Sequence, residues 1–172
     1  MQDARTMDDG RHDFDFLFGR RRIHNRKLVD TLDPESTDWV EFEAVGEANP
    51  ILGGLGNVDT FSVPAMPPSG TPYEGFTLRL FDPETRRWRI WWASTRFPGE
   101  IGVPVEGAFD GARGEFLSDE VIAGRPTKVR FEWRVPGEGV SEWDQSFSWD
   151  GGETWATNWT STHRIVERIA TS

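Results

Sequence analysis

The chain has 172 residues, 36 % hydrophobic and 28 % charged, which suits one domain with a sizeable core. Lys and Arg number 19 against 29 Asp and Glu, and the resulting net charge of −10 disfavours nucleic acid and anionic membrane surfaces as partners. The absence of cysteine excludes disulfides, a thiol nucleophile and any thiolate metal site.

Residues 1–12 are polar and acidic and read as a flexible segment ahead of a single domain over 13–172. They do not resemble a secretory signal, and no apolar run is long enough to cross a bilayer, so a cytoplasmic protein is expected. Asp13-Phe14-Asp15-Phe16-Leu17-Phe18 reads as a helical turn or an extended plug closing one end of the body. Strands are expected over Arg22–Val29 and Trp39–Val45, the second with Val40, Phe42 and Ala44 opposite Glu41 and Glu43. The glycines in Ile51–Asp59 interrupt a strand pattern and mark a bend, a bulge or a close approach. Val63–Pro72 holds four prolines and is expected to be a loop.

Phe76–Phe81 and Trp88–Ser94 form the next hairpin, followed by Val105–Phe109 and Gly114–Asp119 around Asp110-Gly111. Lys128-Val129-Arg130-Phe131-Glu132-Trp133-Arg134-Val135 then alternates perfectly, apolar side chains on one face and charges on the other. Glu142–Trp149 and Thr154–Ile165 complete a set of about ten strands. An even-numbered meander with short turns favours an all-β, antiparallel up-and-down barrel, because closure removes exposed edges; a two-sheet sandwich is the alternative.

Several blocks carry a resemblance. Phe14-Asp15-Phe16-Leu17-Phe18-Gly19-Arg20, Leu52-Gly53-Gly54-Leu55-Gly56-Asn57-Val58-Asp59 and Leu78-Arg79-Leu80-Phe81-Asp82-Pro83 resemble a bacterial family of unknown function. So do Gln145-Ser146-Phe147-Ser148 and Gly152–Trp159, and the motif order agrees from about residue 13 to 164. That family is grouped with the calycin superfamily, whose lipocalin-like barrels bind small hydrophobic molecules. The resemblance implies such a fold and guest class and brings no catalytic residues. It also shows a departure: where such barrels carry Gly-x-Trp at the first strand, this chain has Arg21. The closed end is then left to Phe14, Phe16 or Phe18.

The expected guest is an apolar, aromatic or polycyclic compound. Phe42, Leu78, Trp92, Phe131, Trp133, Trp143, Phe147 and Trp159 are the expected wall, with Gln145, Arg79 and Asn57 orienting the polar end. His163 shares strand parity with Trp155, Thr157, Trp159 and Ser161, and reads either as a rim histidine or as a single-histidine haem ligand. The other class of function is a cyclase or isomerase that shapes a hydrophobic substrate in the same cavity, with Arg79, Gln145, His163 and Asp59 as its polar groups. The third is a carbohydrate-binding surface of exposed tryptophans.

The three histidines show no metal-site spacing, so neither a metal nor a cofactor is expected. Ser148-Trp149-Asp150-Gly151-Gly152-Glu153-Thr154-Trp155 matches one Asp-box, which alone reads as a structural hairpin. Arg20, Arg21, Arg22, Arg26 and Lys27 read as a salt-bridged first strand beside Asp13, Asp15 and Asp30. Trp91 breaks the alternation and points outward, towards a homodimer contact, a ligand platform or the proline-rich loop.

Overall fold

The computed structural model describes residues 8–169. Most of the segment expected to be flexible, residues 1–7, lies outside that range. Ten antiparallel strands close into an up-and-down barrel in which each strand pairs with its chain neighbours and the last pairs with the first. They are β1 (Gly19–Leu28), β2 (Trp39–Ile51), β3 (Gly56–Met66), β4 (Thr71–Asp82) and β5 (Arg87–Ser94). The second half holds β6 (Val105–Asp110), β7 (Arg113–Ile122), β8 (Arg125–Gly137), β9 (Val140–Ser148) and β10 (Ala156–Arg168). This architecture fits a lipocalin-like fold, and the period-two patterning explains it: on β1, for instance, Arg21, Ile23 and Asn25 are buried while Arg20, Arg22, His24 and Arg26 are exposed.

The proline-rich segment departs from expectation. β3 runs to Met66 and β4 starts at Thr71, leaving only residues 67–70 as loop. The ladder slips between Val63 and Met66, and Pro64 sits in that slip. A bulge leaves a backbone position unpaired, which is where a residue without an N–H costs the sheet least.

A 3-10 turn over Asp15–Leu17 precedes β1 and closes one end of the barrel. Phe14 and Leu17 are fully buried there, and Phe14 meets Trp88, Phe109 and Trp133 edge-on. The Trp88 indole N–H donates to the Gly10 carbonyl at 3.1 Å, tying the chain ahead of the plug to β5. Phe81, Val105 and Phe116 complete this packed end. A second apolar cluster fills the other half, built from Ile23, Phe42, Ala44, Phe61, Val63 and Trp159.

The basic run of β1 is not one salt-bridged strip. Arg20 pairs with Glu167 on the outside, Arg26 lies over the Trp39 ring at 4.4 Å, and Arg21 is buried inside. Strand parity divides the run between the two faces, so Asp13, Asp15 and Asp30 are not its partners.

Candidate functional site

Between the two apolar clusters lies a cavity of about 80 Å³. It exceeds the roughly 10–15 Å³ that one water needs and is about half the ~150 Å³ of an apolar cavity known to hold benzene. The barrel is therefore filled mostly by its own side chains, with room for a compact guest.

One side of the cavity is an aromatic cage. Trp159 meets Trp92 at 6.3 Å and 89°, Trp143 at 5.5 Å and 83°, and Phe61 at 6.0 Å and 76°. Phe131 packs edge-on against Trp143 at 5.1 Å. The quadrupoles of these rings favour such T-shaped contacts, so the cage is self-supporting. Trp159 is also fixed by a hydrogen bond from its indole N–H to Asn25 Oδ1 at 3.0 Å. The Trp92 ring packs directly against Gly75, where an added Cβ would stand 2.0 Å from it. Only glycine leaves space for the indole against the wall.

The floor is polar and charged. Arg21 donates to Asp59 Oδ1 at 2.7 Å, and Arg79 donates to Asp59 Oδ2 at 3.2 Å. Arg79 also donates to Asn57 Oδ1 at 2.9 Å, and Arg21 to the Leu17 carbonyl of the plug at 2.9 Å. Arg21 reaches across β2 because Gly46 stands in its way with no side chain; a Cβ there would lie 2.9 Å from the guanidinium. The Arg79 guanidinium rests over the Phe14 ring at 4.9 Å and the Trp133 ring at 5.8 Å, a cation–π seat on the plug. Arg21 therefore staples the plug to the sheet, while Phe14 supplies the apolar seal.

His163 lines the same cavity, packed against Trp133 at 5.0 Å, with Nε2 2.9 Å from Ser161 Oγ. Burial drives its pKa well below the usual imidazole value, and the charges of Arg21 and Arg79 push it the same way. It is neutral at pH 7. Burial likewise lowers the pKa of Arg79, opposed by the Asp59 charge.

Arg79, Trp92, Phe131, Trp133, Trp143, Gln145, Trp159 and His163 all line the cavity. Asn57 and Phe147 are buried but stand outside the lining: Asn57 braces Arg79 from below, and Phe147 belongs to the apolar core. Leu78 is half-buried on the outer face, because Thr77 and Arg79 point inward and a strand alternates. Phe42 packs beside Trp159 without lining the cavity. Gln145 bonds neither Arg79 nor backbone; its amide donates to Asn158 Oδ1 at 2.9 Å. That contact depends on a register shift between Thr157 and Trp159, which brings both Asn158 and Trp159 into the interior. Trp155, whose parity suggested an inward position, stacks under Arg130 at 4.2 Å.

Arg21, Asn25, Phe61, Thr77, Ile90 and Ser161 are lining residues that the sequence reading did not select. The signal for Arg21 and Asn25 was present, since both share parity with Ile23. Asp59, suspected only for an enzyme, is the acidic centre of the floor.

The Asp-box forms the β9–β10 hairpin. Asp150 accepts from the Thr154 backbone N–H and from the Ser148 hydroxyl, which themselves tie the turn. The Thr154 hydroxyl, first among these bonds, holds the Asp150 pKa at about 2. Among the described residues there is no cluster of groups spaced to hold a metal, and no helix long and apolar enough to cross a membrane. No protein-family model matches this chain, and no curated protein resembles it in sequence.

Proposed function

We propose that the barrel binds a compact apolar molecule carrying one ring or a short chain. The observation that supports this is the juxtaposition, around one cavity, of an indole cage and a floor of inward polar groups. The volume argues against a polycyclic guest. Membership of a bacterial lipocalin-like family within the calycin superfamily belongs to this proposal, and the closed barrel with its aromatic interior supports it.

Titration with small aromatics, read by quenching of tryptophan fluorescence, tests the proposal. Saturable quenching that is lost in Trp159→Ala supports it; no quenching by any single-ring compound overturns it. Native mass spectrometry of freshly purified protein identifies a co-purified guest directly.

A second reading is favoured by one observation. His163 is a neutral imidazole with Nδ1 unpartnered in the same cavity, beside two guanidiniums. That set can polarise a carbonyl and relay a proton, as an isomerase or cyclase requires. Recovery of a chemically altered guest distinguishes this reading from simple binding.

A further inference from the structure

The floor of the cavity is unbalanced in charge and in hydrogen bonding. Two arginines face one carboxylate, since Asp59 is the single acidic residue among those lining the cavity. His163 does not help, being neutral. A net positive charge is thus held inside a protein whose overall charge is −10. Burying an uncompensated cation is costly, and a fold that needed only an apolar core would be better served by neutral side chains.

The donor count points the same way. A guanidinium carries five N–H donors, yet Arg21 and Arg79 together make four side-chain hydrogen bonds. The Nε atoms of both are buried and without a partner. Both are donors, so what is missing is an acceptor. Gly46 makes the space that lets Arg21 approach Asp59, so four adjacent strands, β1 to β4, contribute to holding the cationic pair together.

Resting on the binding proposal above, we infer that the guest is an anion: an apolar ring or short chain ending in an oxygen acid, a carboxylate above all, seated on Arg21 and Arg79. The carboxylate neutralises the surplus charge and accepts from the free donors, while the apolar part occupies the indole cage. Asp59 sets the geometry by holding the two guanidiniums together, one on each carboxylate oxygen. Charge-assisted bonds of this kind are stronger than neutral ones, and in a buried site they are poorly screened by salt.

The test compares matched probes on the intact protein: benzoate, its neutral isostere benzamide, and toluene, each followed by tryptophan quenching and calorimetry. Benzoate is expected to bind at least ~10-fold more tightly than benzamide. Arg79→Met is expected to abolish that preference while leaving toluene binding in place. This variant leaves the Arg21–Asp59 pair intact, and its fold is checked by near-ultraviolet circular dichroism. Should it fail to fold, Arg79→Lys serves instead, with benzoate preference retained but weakened. Equal binding of benzoate, benzamide and toluene overturns the anionic head while sparing the binding proposal. Failure of all three to bind overturns both.

Discussion

Trp88 and Trp92 lie on the same face of β5, four residues and roughly 13 Å apart, yet they do different work. Trp88 is 1 % exposed, wedged between Phe14 and Phe81, with its indole N–H satisfied by Gly10. Trp92 is half-buried and borders the cavity, propped on Gly75. One end of the barrel uses its aromatics as a seal and the other uses them as a wall around space. The boundary between the two is the Arg21–Asp59–Arg79 floor. Aromatic content alone therefore says little about whether an interior is core or cavity; what decides it is the polar layer placed between.

The largest expected effect breaks the seal. Trp88→Ala removes the indole and strands the Gly10 carbonyl, and a cost of about 5 kcal/mol is expected. Trp92→Ala, at a site already bordering empty space, is expected to cost about 2–3 kcal/mol. Chemical denaturation of both variants measures the contrast, and equal losses would erase the distinction between seal and wall.

Next comes the boundary itself. Asp59→Asn keeps the shape but leaves two guanidiniums facing each other in the interior, at an expected cost of about 3–4 kcal/mol. Adding benzoate is expected to recover part of that loss, seen as a rise in Tm.

Much of this contrast was legible in the sequence, and the illegible part has physical causes. Alternation in Lys128–Val135 marks the strand, its inward face and two wall residues, Phe131 and Trp133, from sequence alone. Alternation fails wherever register shifts. The bulge at Asn158 put two successive residues inside, and the slip at Pro64 carried a strand through what reads as a loop. Composition misled at Arg21, because an arginine reads as surface until its partners, a plug carbonyl and Asp59 on another strand, are known. A buried charge is legible only through its long-range partner.

Gly75→Ala sharpens the wall side of the comparison. The added methyl collides with the Trp92 ring and drives the indole into the cavity. Overpacking of this kind costs about 1–2 kcal/mol and is expected to eliminate small-aromatic binding, with the seal around Trp88 unchanged. A Gly75→Ala protein that bound toluene as before would show that Trp92 does not bound the guest space.

The smallest effect tests the boundary by pH. His163 is held neutral in the folded barrel by burial and by the two arginines, whereas the unfolded chain takes up a proton below about pH 6.5. The unfolded state thus binds more protons in acid, so the stability contributed by neutral His163 is fully present above that value. It is lost progressively as pH falls towards the depressed folded pKa. One such group gives a slope approaching 1.4 kcal/mol per pH unit, or about 1 kcal/mol in all between pH 7 and 5.5. His163→Gln removes the titrating group and keeps a polar side chain beside Ser161. Its stability is therefore expected to fall less steeply than that of the unsubstituted protein over the same interval, with the two curves parallel above pH 7. Parallel curves throughout would mean that His163 protonates freely in the folded state, and that the cationic floor does not reach it.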